Sequence, residues 1–194
     1  MRRCAEIYGL IMDVSDFVRL NDQLRIHFRE KWDRVMPFQD ALFDRWERAK
    51  FLGFGDKTSI YESSQIFGDV KVGRNTWIGP LTILEGSAGI EIGDNCSISA
   101  GVQIWTHDSV KWALSGGRAA YDKLPVKIGS NCYVGPNSVI AKGVTIGDNC
   151  VIGAFSLVSK DVADMTIVAG VPARPIGKVL IDGDKIELEY FSEK

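Results

Sequence analysis

From Ile60 to Val158 an aliphatic residue falls on a six-residue beat. Ile60, Ile66, Val72, Ile78, Leu84 and Ile90 make the first run, and a slip of two residues starts Ile92, Ile98 and Ile104. After an interruption come Ile128, Val134, Ile140, Ile146, Ile152 and Val158. A helix repeats near 3.6 residues and a strand at two, so neither sustains this beat over roughly a hundred residues. A fixed short period marks a solenoid, and a six-residue unit marks a parallel β-helix. Four positions after each aliphatic residue stands a small one, among them Ser64, Thr76, Thr82, Cys96, Cys132, Ser138, Cys150 and Ser156. Gly often follows at the first position, as at Gly73, Gly129 and Gly147, and Asn at the third, as at Asn75, Asn95, Asn131 and Asn149. Both tolerate positive φ, so these are corners. Three units close a triangular coil, which predicts a mainly β protein of about five coils spaced roughly 4.8 Å apart.

The flanks read differently. Residues 1–55 carry few glycines and many aromatic residues. Leu20, Leu24, Phe28, Trp32 and Val35 recur at helical spacing up to Pro37, and Phe38, Leu42, Trp46 and Ala49 fit a second helix ended by Gly53 and Gly55. This segment is expected to be an N-terminal helical cap, because the end of a solenoid needs covering. The repeat domain then spans 56–177. Residues 109–125 leave the beat as an external loop, where Trp112, Arg118 and Tyr121 offer stacking faces and hydrogen bonds to an acceptor. The tail 178–194 reads as a hairpin turning at Asp182-Gly183.

Composition narrows the classes. Net charge is −2 with scattered Lys and Arg, which disfavours a nucleic-acid partner. No run of eighteen apolar residues predicts a membrane span. Asp13 and Asp16 cut short the apolar start that would suggest a leader, so a cytoplasmic protein is expected. Cys96, Cys132 and Cys150 share one repeat position and read as small buried hydrophobes, and Cys4 lies outside the pattern.

Histidine is scarce, with two in the chain. His27 falls on the first predicted helix. His107 stands at a corner where other coils use Asn, Asp or Gly, and just where the chain leaves the coil. A neutral imidazole there can take a proton from an attacking nucleophile and return it to a leaving group. Its second nitrogen then needs an acceptor, for which Asp108 or a backbone carbonyl is available. Counting coils puts Ser87 beneath His107, Asp69 one coil lower and Gly143 above, where glycine would leave room for the imidazole or a thioester. A zinc site of the γ-carbonic-anhydrase kind needs three histidines, so no metal is expected.

The stretches Pro125–Ile140, Gly143–Asn149 and Val168–Arg174, with Thr106-His107-Asp108, resemble the hexapeptide-repeat acyltransferases over roughly residues 56–177. The branch most alike is the sugar O-acetyltransferases, similar to galactoside and maltose acetyltransferases and those of lipopolysaccharide biosynthesis. The resemblance implies a left-handed parallel β-helix, a homotrimer, acetyl-CoA as co-substrate and His107 as catalytic base. It implies cofactor contacts at Tyr133, Ala154, Ser159, Lys160, Arg174 and Lys178; acceptor contacts by Trp112, Arg118, Tyr121 and Asp108 are expected from their place at the loop, whose aromatic residues could equally pack on a neighbouring subunit. Pro136 departs from the pattern, since it lacks the N–H that a relative would aim at the oxyanion or thiolate. Pro80-Leu81 departs near where galactoside enzymes place an acceptor-binding Asn. The function expected is O-acetylation of a sugar or polysaccharide precursor, with N-acetylation of a nucleotide-linked amino sugar as the alternative. A non-catalytic scaffold is disfavoured by His107 and the Lys160 and Arg174 pair.

Overall fold

The six-residue beat closes into a three-sided parallel coil in the computed structural model, which describes residues 13–191. Cys4 and the apolar start fall outside the described residues. The first side stacks Ser59–Ile60, Trp77–Ile78, Ser97–Ile98, Tyr133–Val134, Val151–Ile152 and Thr166–Gly170. The second stacks the starts of Gln65–Val72 and Ile83–Ile92, then Gln103–Trp105, Val139–Ile140 and Leu157–Val158. The third stacks the ends of those two long strands, then Val126–Ile128, Thr145–Ile146 and Val162. That makes five complete coils with a sixth begun. The two-residue slip in the beat arises at the corner between Gly86 and Ile90, where Ile83–Ile92 has two residues more than Gln65–Val72 below it; Ile90 and Ile92 then share one side.

The beat fills the core. Ile60, Ile78, Leu84, Ile98, Ile104, Ile140 and Ile152 are fully buried. Corner Asn75, Asn95, Asn131 and Asn149 have φ between 52° and 58°, and their side-chain amides bond to one another up the stack at 2.9, 3.2 and 3.2 Å. Beside them runs an interior column of Thr58, Thr76, Cys96, Cys132 and Cys150. Each donates to a carbonyl of the next coil, at 2.6–3.1 Å. The three thiols are free and buried.

The described residues divide into two compact units, one ending at Asp44 and one starting at Arg45. In the first, helix Val14–Trp32 is capped by Asp13 and ended by Asp33 at φ 52°, and a short helix Phe38–Leu42 follows. His27 is exposed on the long helix, edge-on to Phe28 and Trp32. The single second helix expected over Phe38–Ala49 is two helices: Phe43 is extended, and Arg45–Phe51 begins after it. Asp44, between them, prefers a cap to a helix interior. In the second unit, Arg45–Phe51 buries Ala49 against the first coil. Arg48 donates to the carbonyls of Tyr61 and Ser64, and Arg45 to the Tyr61 hydroxyl at 2.7 Å. At the other end Ala173–Asp182 runs antiparallel to Thr166–Gly170 and pairs with Lys185–Tyr190 across a turn at Gly183.

Candidate active site

Three rungs of one corner, between the second and third sides, build the site. Leu84 points inward on its coil, so Glu85 points outward; the register sets it against Trp105 of the coil above. That register puts Glu85 beside the ring of His107. The imidazole Nδ1 is 2.7 Å from Glu85 Oε2 and 3.3 Å from Ser87 Oγ. Ser87 thus stands where the coil count put it.

Glu85 is 6% exposed. Its Oε1 accepts from the N–H of Ser87 at 3.1 Å, and its Oε2 from the hydroxyl of Thr106 at 3.1 Å. Burial pushes its carboxyl up, but the bonds from His107, Ser87 and Thr106 outweigh that and hold it below the ordinary value. An ionised Glu85 accepts the Nδ1–H of a neutral imidazole. That fixes the tautomer in which Nε2 carries a lone pair. Asp108, the carboxylate considered for this task, is held elsewhere. It accepts the Val110 N–H at 3.0 Å and pairs with Lys142 at 2.8 Å, because the strand turns its side chain away from the ring.

The external loop returns over the histidine. His107–Asp108 pairs antiparallel with Asp122–Lys123, and a short helix Val110–Leu114 lies between. Tyr121 stacks on the imidazole with ring centroids 5.5 Å apart and planes 9° apart. Trp112 meets Tyr121 edge-on at 5.9 Å, and Trp105 meets His107 edge-on at 6.2 Å. Arg118 is exposed on the loop, its backbone N–H bound to Ser115 Oγ. Gly143 does not make room for the imidazole: a Cβ there would meet Leu124 Cδ1 at 2.9 Å, so the glycine accommodates Leu124.

At the C-terminal end of the coil lies a groove of about 410 Å³ lined by residues of all three sides, among them Ser159, Lys160, Val162, Thr166, Ala173 and Arg174. The register sets Ser159 two coils above Trp105, a rise of roughly 10 Å. The structure therefore brings Ser159, Lys160 and Arg174 together. Lys178 is exposed and opposite Thr166. Ala154 is on the corner between the first and second sides and Tyr133 is exposed on the first side, and neither lines this groove. Pro136 shares the corner of Ala154, where its carbonyl accepts from Phe155.

Sequence reasoning missed Glu85, Trp105 and Lys142. The count that put Ser87 under His107 also puts Glu85 under Trp105, two residues away, and that was the available signal.

Two family models match the chain: bacterial transferase hexapeptide (six repeats) over residues 125–160, and hexapeptide repeat of succinyl-transferase over residues 69–105. Among curated proteins, Protein CapG of Staphylococcus aureus is 42% identical over 116 residues, covering 54% of this chain and 66% of CapG. The chain thus spans just under two thirds of that relative's length. Among solved structures, a variant of AntD, an N-acyltransferase from Bacillus cereus in complex with dTDP and coenzyme A, aligns with TM-score 0.59 at 28% identity. That match covers 64% of this chain and 72% of the other. A galactoside acetyltransferase in complex with coenzyme A aligns with TM-score 0.63 at 25% identity, covering 87% and 84%.

Proposed function

Because the chain belongs to the hexapeptide-repeat transferases, with their left-handed β-helix, we propose that it moves an acetyl group from acetyl-CoA to a hydroxyl of a sugar or polysaccharide precursor. What carries this reading is one imidazole whose Nδ1 is bonded to a buried carboxylate, in a coil whose C-terminal end holds a groove with two cations. In the reaction Nε2 of His107 takes the acceptor proton as its oxygen bonds to the thioester carbon. The C–S bond then breaks, and the proton passes to the departing thiolate. Glu85 steadies the imidazolium formed between these steps. No covalent enzyme intermediate is required when both substrates share the site.

Lys160 and Arg174 would pair with the phosphates of coenzyme A, and Ser159 with its pantetheine arm. Trp112 and Tyr121 would face the acceptor ring, with Arg118 and Asp108 at the border of that region. Ala154, Tyr133 and Lys178 would reach a cofactor from a neighbouring copy, which is one support for a homotrimer with sites between subunits. The other is the outward row Ile83, Gln103, Val139 and Leu157 on the second side, which carries no charge. Among the described residues no helix is long and apolar enough to cross a membrane. We place the protein in the cytoplasm, with the acetyl-CoA supply.

A second reading, N-acylation of a nucleotide-linked amino sugar, is favoured by the similarity to AntD. Thiol release from acetyl-CoA, measured over a panel of sugars and amino sugars, separates the two readings by which acceptor accelerates it. In that assay His107→Ala should lower turnover by about 10²–10⁴-fold with assembly intact. Unchanged turnover would remove the assignment.

A further inference from the structure

We infer that Lys142 is a positioning residue, whose ammonium ties both arms of the external loop to the coil above and so holds Tyr121 flat against His107. The chain departs at Asp108 and returns at Asp122, joined by a two-residue antiparallel pair. So short a pair is at most marginally stable on its own. Lys142 Nζ lies 2.8 Å from Asp108 Oδ2 and 2.7 Å from Asp122 Oδ2, and Lys111 Nζ adds a contact to Asp122 at 3.5 Å. Without the lysine, two carboxylates would face each other across the neck and repel.

The lysine is itself placed by the solenoid. Ile140 registers with Ile104, which sets Lys142 one coil above Thr106, at the root of the loop. Its side chain is 19% exposed, so the ammonium has exchanged most of its water for the two carboxylates. Those bonds also hold both aspartates below their ordinary range and raise the lysine above its own, so the clamp stays charged across neutral pH. From Asp122 the effect passes one residue to Tyr121, and from there to the imidazole face. Its consequence for catalysis rests on the reading of His107 as the base; the clamp itself does not.

The test therefore reads position before it reads turnover. With two histidines in the chain, labelling at Cε1 yields two imidazole Hε1 signals. Tyr121→Leu identifies the His107 signal and the ring-current shift it owes to the tyrosine. Lys142→Met is expected to move that signal most of the way to its Tyr121→Leu position. It should also raise amide exchange over residues 109–123 by about tenfold or more, while amides of the coil interior stay protected. Lys142→Arg should keep both readouts near wild type. A Lys142→Met protein with the His107 signal and loop exchange unmoved overturns the inference. Should that variant fail to fold, Asp122→Asn carries the same expectation and the same refutation. Where acetyl transfer is measurable, kcat should fall in Lys142→Met and be kept in Lys142→Arg, because the imidazole loses the ring stacked on it only in the first. Loss of the ring-current shift in a protein that transfers no acetyl group would uphold the clamp and refute the function.

Discussion

Glu85 joins burial, charge and chemistry in one side chain. A carboxylate at 6% exposure needs partners, and it has them in His107, Ser87 and Thr106. Glu85→Gln keeps the size but removes the charge that stabilises an imidazolium. We expect kcat to fall by about 10²-fold, inside the roughly 10²–10⁴-fold that a base supplies, with KM for acetyl-CoA unchanged. Thiol-release kinetics check this, and wild-type kcat would refute the dyad. The pH dependence has a definite sign. The folded carboxyl lies below its unfolded value, so its contribution to stability is complete above the usual carboxylate range. It is lost as pH falls through the lowered folded value. The stability advantage of wild type over Glu85→Gln, read by chemical denaturation followed by circular dichroism, should therefore be full at neutral pH and shrink as pH falls through the lowered value. His107 was legible as chemistry because it replaces Asn, Asp or Gly at a corner. Glu85 was not, because its partner is 22 positions away and a lone acidic residue on a coil reads as a solvated one.

At the scale of the element, the corner dictates the residue. Asn131 sits at φ 58° and bonds through its side chain to Asn95 and Asn149. Asn131→Ala loses both bonds and leaves in the left-handed region a residue without the short polar side chain that eases asparagine there, which costs roughly 1–2 kcal/mol for the backbone alone. Asn131→Gly loses the bonds and keeps the backbone at ease. Chemical denaturation should rank the variants wild type, then Gly, then Ala; equal stability for Gly and Ala would show that the ladder, not the backbone, selects asparagine. This level was the most legible, since aliphatic, small, Gly and Asn positions each recur with the coil. The column of hydroxyls and thiols was legible as size but not as bonding. Small residues were expected to fill space, and the five donors instead connect successive coils. The helical flank was the least legible, because apolar spacing does not say where a helix breaks, and Phe43 breaks one.

At the scale of the whole β-helix, the third outer face carries charge and the other two do not, the first pointing Trp77, Ser97, Tyr133 and Val151 outward. The third side points Lys71, Glu91, Lys127 and Thr145 outward, with Glu91 and Lys127 paired at 3.2 Å, which suits contact with water. The second points Ile83, Gln103, Val139 and Leu157 outward in one column. An uncharged column suits burial against a second copy, the contact that the proposed homotrimer needs. Val139→Glu would place a carboxylate in that column, and in a closed trimer it would bring three like charges into buried contacts at once. Sedimentation should then find monomers, and thiol release should fall with assembly because groove residues from a neighbour are lost. The matching change on the third side, Thr145→Glu, should leave both unchanged. A Val139→Glu protein that remains trimeric would move the contact to another face, and a wild-type chain that sediments as a monomer would require each active site to be complete within one chain.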